Sequence, residues 1–354
     1  MAILKLPTVG GLAHLLTMEA FAKVLPPGTI NFVSGSGRTT MPPLMESGRV
    51  DALAFIGGSR AADRLIKAHP APHRLKLFLQ LEAKNMGVYL PNLFQGAGDA
   101  ALTERVMKET VAGTLSYNGQ RCTALKLLFV PREHGEEFAE DLARRVEALL
   151  VGLPWEAAGS TFSQITPLPN QERVDYMKEL IEDAIAKGAR IVNENGGAIV
   201  GGGPPDGEST LMVPAVLYPV SPGMRVFDEE QFGLVVPVAP YDNLDEVLRY
   251  ARDGKYGQQA SLFTAEADAA TTRLVDRFAA VFGKINVNAQ CGRSPDTAPF
   301  SGRRSSALGV MSVRDALHEF SVPVVVSHKD VGDDAAMVRG LEGSSFLAPA
   351  VGVR

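Results

Sequence analysis

Val50-Asp51-Ala52-Leu53-Ala54-Phe55-Ile56-Gly57-Gly58-Ser59 decides the fold. Val50 to Ile56 reads as a strand, and the glycines ending it permit a tight turn and a close approach of backbone to a ligand. On the N-terminal side, Ala13 to Leu25 reads as a helix stopped by Pro26-Pro27-Gly28, after which Ile30 to Val33 reads as a short strand. Strand and helix alternate, which implies a parallel, doubly wound α/β sheet.

The same alternation continues toward the C-terminus. Leu102 to Leu115 is helical, and Val174, Met177, Leu180, Ile181, Ala184 and Ile185 recur at helical spacing behind a candidate cap at Asn170, as on a surface helix with one buried stripe. Asp245 to Arg252 and Ala267 to Phe278 are further helices, and Ala260 to Phe263 and Lys284 to Val287 are apolar strands between and after them. A second α/β layer therefore occupies the C-terminal half. Gly201 to Gly207 reads as a loop, Ser321 to Ser327 as a Pro-interrupted edge strand open to another subunit, and the tail after His328 as frayed.

Bulk properties narrow the function classes. The 354 residues are a soft prior for about two domains, and the formal charge of −5 gives no basic footprint for nucleic acid. Two cysteines make no disulfide framework and point to a reducing, cytoplasmic setting. No secretory leader pattern and no apolar run of about 18 residues is present, so no membrane partner is expected.

One cysteine stands in a setting suited to chemistry. Ser116-Tyr117-Asn118-Gly119-Gln120-Arg121-Cys122-Thr123-Ala124 leads from the helix, expected to end near Tyr117, into the apolar run Leu125 to Val130. Cys122 thus falls where a helix gives way to a strand. Its residue type leaves two readings open, a buried inert thiol or a partly accessible thiolate nucleophile.

Gly119-Gln120-Arg121-Cys122-Thr123-Ala124 resembles the nucleophile motif of the aldehyde dehydrogenase superfamily. Further segments match in order: Leu4-Lys5-Leu6-Pro7-Thr8, Leu25 to Asn31, Phe55-Ile56-Gly57-Gly58-Ser59, Glu229-Glu230-Gln231-Phe232-Gly233, Tyr256-Gly257 and Pro299-Phe300-Ser301-Gly302. The likeness runs to about Ser327 and is greatest to the NADP-dependent, non-phosphorylating glyceraldehyde-3-phosphate dehydrogenases. It implies a partial Rossmann-type cofactor domain over 1–83, an α/β thiol domain over 84–306, a return segment and oligomerisation strand over 307–328, and a flexible tail over 329–354. Relatives of this kind carry a block before the lysine matched by Lys5, including an oxyanion-hole asparagine. Without that block, the open sheet is expected to expose an edge and an apolar face.

The resemblance also assigns roles. Cys122 is the nucleophile. Lys5 and Thr8 match the pair at the adenosine ribose, and threonine in place of an acid favours NADP over NAD, because a carboxylate would repel the extra phosphate. Gly57, Gly58 and Ser59 match the pyrophosphate turn, with a hydroxyl and a last glycine lost. Glu230 and Phe232 match the acid and aromatic at the nicotinamide ribose and ring. Arg293 matches a substrate-phosphate arginine, and Arg121 beside the nucleophile is mostly structural in the family.

The general base departs from the family pattern. Leu79-Gln80-Leu81-Glu82-Ala83-Lys84 puts Gln80 where the base belongs and Glu82 on a glycine. Glutamine cannot accept a proton from water, whereas Glu82 shares its strand face and is the candidate substitute. Cys291 is expected to be a packing or pocket residue. No metal is expected: His69 and His73 are kept off one helix face by Pro70 and Pro72, and the other histidines are isolated. The resemblance implies oxidation of a small phosphorylated aldehyde, glyceraldehyde 3-phosphate, to its acid by a homo-oligomer. A catalytically impaired remnant that binds nucleotide or modifies an oligomer is the alternative, and a cofactor-free cysteine esterase is a third reading.

Overall fold

The structure, a computed structural model, describes all residues except 96–99, 160, 202–208, 323, 330–331 and 342–354. Strand β1 (Ala2–Lys5), helix α1 (Gly11–Val24) and strand β2 (Ile30–Val33) form a βαβ unit with β1 and β2 parallel. Helix α2 (Gly37–Glu46), strand β3 (Ala52–Ile56), helix α3 (Ser59–Ala68) and strand β4 (Lys76–Gln80) repeat the pattern, and β3 runs parallel to β4 with Ile56 beside Gln80. Met45, Leu53, Ala62, Leu65, Leu75 and Leu79 make a small core there.

Helix α1 buries none of its residues, and Leu12 and Leu16 face solvent along with Ile3 and Leu4 of β1.

A larger sheet of seven strands follows. Strand β5 (Asn85–Tyr89) and strand β6 (Leu125–Pro131) lie at its centre, flanked by Gln259–Phe263 and Lys284–Val287 on one side and by Val235–Tyr241, Ala215–Tyr218 and Arg190–Ile191 on the other. All pairs are parallel except the last. Helices α4 (Ala100–Leu115), α5 (Arg132–Glu147) and α6 (Gln171–Ala186) pack against it, which is why β6 is apolar on nearly every residue and buried throughout. Tyr89 stacks on Phe263 at 4.7 Å and tilts against Phe138 of α5 at 4.5 Å. The chain then returns to the small sheet, where Ala307 pairs antiparallel with Gln80.

Local expectations mostly hold. The Asn170 side chain accepts from the Arg173 amide at 3.0 Å and caps α6, whose Val174, Met177, Leu180 and Ala184 are buried. Three corrections are needed. Helix α4 ends at Leu115, because Tyr117 and Asn118 take positive φ, and Ile185 lies off the buried stripe and is exposed. The described residues of 321–327 form no strand: Val322, Val324 and Val325 are exposed, without a ladder partner among the described residues. The 201–207 loop falls, from 202 on, outside the described residues, as does the tail beyond 341.

Candidate active site

The turn that carries Cys122 is built by three successive positive-φ residues, Tyr117 at 55°, Asn118 at 59° and Gly119 at 66°. Asn118 tolerates that conformation and is locked in it: its Nδ2 donates to Thr166 O at 2.9 Å and its Oδ1 accepts from Thr166 N at 3.0 Å. Gly119 has no alternative. A Cβ there would stand 2.5 Å from Gly233 O and 2.9 Å from Thr114 O. This close approach seats the cysteine turn against Glu229-Glu230-Gln231-Phe232-Gly233.

Cys122 is half-buried, with its thiol free. Its carbonyl oxygen accepts from Asn85 Nδ2 at 2.7 Å and from Lys126 Nζ at 2.9 Å. Lys126 Nζ also donates to Arg121 O at 2.8 Å and pairs with Glu230 Oε1 at 3.1 Å. The Ala83 amide donates to the same Glu230 oxygen at 3.0 Å. The Phe232 ring lies 5.8 Å from the Lys126 ammonium. One buried cation therefore joins the cysteine turn, the acid Glu230 and the chain just beyond Glu82.

Burial drives the electrostatics. It pushes the Lys126 ammonium below its ordinary pKa, opposed by Glu230, and pushes Lys84 well below its own; Lys84 donates to Val226 O, Glu229 O and Gln231 Oε1. Burial also raises the Cys291 thiol to about 11, beside Ser261 Oγ at 3.2 Å. Tyr176 donates to Glu229 Oε2 at 3.1 Å and to Glu230 O at 3.2 Å, and burial raises its phenol to about 12.

With that geometry in place, the chain matches the Aldehyde dehydrogenase family over residues 1–326. The chain belongs to the aldehyde dehydrogenase family. It is 31% identical over 312 residues to the NADP-dependent glyceraldehyde-3-phosphate dehydrogenase of Streptococcus equinus, covering 88% of this chain and 60% of that protein. Against the Arabidopsis thaliana enzyme of the same name it is 28% identical over 317 residues, covering 89% and 58%. In three dimensions it is similar to the NADP-dependent glyceraldehyde-3-phosphate dehydrogenase of Bacillus halodurans C-125 solved with NADP, at a TM-score of 0.76 and 29% identity, covering 90% and 61%. The chain spans about three-fifths of the length of these relatives.

In this aldehyde dehydrogenase-family chain, Gln80 and Glu82 part company. Gln80 is buried, and neither its Oε1 nor its Nε2 has a hydrogen-bond partner among the described residues. Glu82 is turned onto α3: the Ser59 amide donates to both of its oxygens at 2.9 Å, and Ser59 Oγ donates to Oε1 at 3.3 Å. Gly57 and Gly58 lead into that helix start, and a Cβ on Gly58 would meet Glu82 Oε1 at 3.2 Å. Lys5 ends β1 with its Nζ over Gly37, 3.9 Å from where a Cβ would stand, and Thr8 is exposed beyond it.

The two arginines differ. Arg121 Nη2 donates to Ala112 O and Gly113 O at the end of α4 and to Gln290 Oε1 at 3.0 Å, which anchors the turn to the 288–293 loop. Arg293 is exposed, donates to Met311 O at 2.8 Å and lies 5.5 Å over the Phe300 ring, with Asp296 at 3.7 Å. Sequence reasoning overlooked Lys126, Asn85 and Tyr176. Only Lys126 left a signal, a lone lysine in the apolar run Leu125 to Val130. Among the described residues no His, Cys, Asp and Glu cluster fit for a metal ion occurs, and no helix is long and apolar enough to cross a membrane.

Proposed function

We propose that this chain oxidises an aldehyde to a carboxylic acid with NADP, through Cys122, and that the aldehyde is glyceraldehyde 3-phosphate, yielding 3-phosphoglycerate. The observation that carries the reading is the half-buried Cys122 held by Lys126 against Glu230. The names of the relatives support NADP and this substrate.

The residues fit a dinucleotide. At α3 the Ser59 amide and hydroxyl already hold an anion, the Glu82 carboxylate, which stands in for phosphate oxygens. Ser59, Gly57 and Gly58 would hold the diphosphate, Lys5 and Thr8 the adenosine end, and Glu230 the nicotinamide ribose. Bound there, NADP supplies the acceptor for the hydride.

The chain's own groups do the rest. The Cys122 thiolate forms a C–S bond to the aldehyde carbon, and the carbonyl electron pair moves to oxygen. Loss of hydride from that carbon leaves a thioester on Cys122. Water attacks the thioester, the C–S bond breaks, and the water proton passes to a carboxylate, for which Glu82 is the candidate. Arg293 would receive the substrate phosphate if its guanidinium left Met311 O. A homo-oligomer in a reducing cytoplasm completes the proposal, supported by the exposed valines at 322, 324 and 325 and by two free thiols.

The unpartnered Gln80 and the engaged Glu82 favour a second reading, an impaired remnant that binds nucleotide without turnover. NADPH formation by the purified chain with glyceraldehyde 3-phosphate, run beside Cys122→Ala, separates the two. Cysteine-dependent turnover supports the enzyme, whereas NADP binding without turnover by folded protein supports the remnant.

A further inference from the structure

We infer that Glu82 is an internal competitor for the diphosphate of the dinucleotide, so that NADP binds only by expelling this carboxylate from the start of α3. The inference rests on the dinucleotide reading above. The first ground is occupancy. Both Glu82 oxygens take the Ser59 amide at 2.9 Å, and the Ser59 hydroxyl adds a third contact at 3.3 Å. A backbone N–H has one proton to give, and a second anion at the same place meets like charge at close range.

The second ground is access. Gly58 leaves no Cβ between the helix start and the incoming side chain, and the Glu82 oxygen already fills that opening at 3.2 Å from the ideal Cβ position. The third ground lies two residues earlier. Gln80 is 2% exposed, and its amide has no partner among the described residues, on the strand end whose carbonyl accepts from Gly57 N at 3.1 Å. A buried amide left unpaired is costly. The cap itself is held from one side only: Ser59 is the sole hydrogen-bond donor to Glu82 among the described residues.

Glu82 sits at a position where the family pattern has glycine, so the competitor belongs to this chain rather than to the motif. It sets the affinity for NADP through a contact made only in the unliganded chain. Binding then pays the cost of breaking a charge-assisted hydrogen bond before the diphosphate gains its own.

The test is calorimetric titration of NADP, with no aldehyde, into the unmodified chain, Glu82→Gln and Glu82→Gly, each checked for a cooperative thermal transition. The expected result is NADP binding about tenfold tighter in both variants, since each removes the competing charge. Glu82→Gly removes the side chain altogether, so it answers the question if glutamine retains the cap, and Glu82→Gln answers it if glycine loosens the strand end. Binding by the unmodified chain that is unchanged or weaker in the folded variants overturns the inference and leaves the dinucleotide reading standing. Absence of NADP binding in all three overturns both.

Discussion

Lys126 Nζ lies 2.9 Å from the carbonyl oxygen of Cys122 and 3.1 Å from Oε1 of Glu230, so a single ammonium, 1% exposed on its side chain, fixes the candidate nucleophile relative to the candidate ribose acid. Breaking a buried ion pair by removing one partner leaves the other charge uncompensated, which typically costs about 3–5 kcal/mol. Lys126→Met, close in volume, is therefore expected to lower the unfolding free energy by about 3 kcal/mol. Urea denaturation at neutral pH checks this, and a loss below about 1 kcal/mol would show that the pair does not hold the turn.

Gly119 is confined by both its backbone and its neighbours. Gly119→Ala has to adopt φ near 66° and place a methyl group 2.5 Å from Gly233 O. Strain and overpacking together are expected to cost about 2–4 kcal/mol. Gly188, at φ 103° with open space around it, serves as the control: Gly188→Ala meets strain alone and is expected to cost about 1–2 kcal/mol. Equal midpoint shifts in the two variants would remove the close approach as a cause.

The two thiols should respond differently to alkylation. Cys291 is fully buried and its thiol is raised to about 11, whereas Cys122 is half-buried. Iodoacetamide at pH 8 is expected to label Cys122 in the native chain and Cys291 only after unfolding, as read by peptide mass. The stability Cys291 contributes is complete below its ordinary value near 9 and is lost as pH climbs toward about 11, at about 1.4 kcal/mol per unit. Cys291→Ala should flatten that alkaline decline, and an unchanged slope would count against it.

Gln80 carries two polar atoms, without partners among the described residues, into a buried position. Replacing it by an apolar residue of similar size removes their desolvation cost. Gln80→Leu is thus expected to stabilise the chain without ligand by about 1–2 kcal/mol in urea, and a destabilised variant would mean that the amide is satisfied in solution.

Local chemistry was legible in the sequence, and contacts across the chain were not. Ile30 to Val33 and Lys284 to Val287 were readable as strands because short apolar runs between turn residues suffice to mark them, and Asn170 announced a cap that the structure forms with Arg173. The Cys122 turn was readable from Gly119, but its inward fit depends on Gly233, far along the chain. The grip of Ser59 on Glu82 spans 23 residues and joins the start of α3 to the segment after β4, which periodicity does not relate. The valines of 321–327 have strand propensity without a neighbouring strand among the described residues, and propensity alone does not form a ladder.

The most direct test of Cys122 as the nucleophile is peptide mass analysis after mixing the chain with glyceraldehyde 3-phosphate and NADP and quenching in acid. The expected result is an acyl group on the Cys122 peptide that requires NADP and is absent from Cys122→Ser. NADPH accumulating with no acyl group on Cys122, or with full turnover in Cys122→Ser, would contradict it.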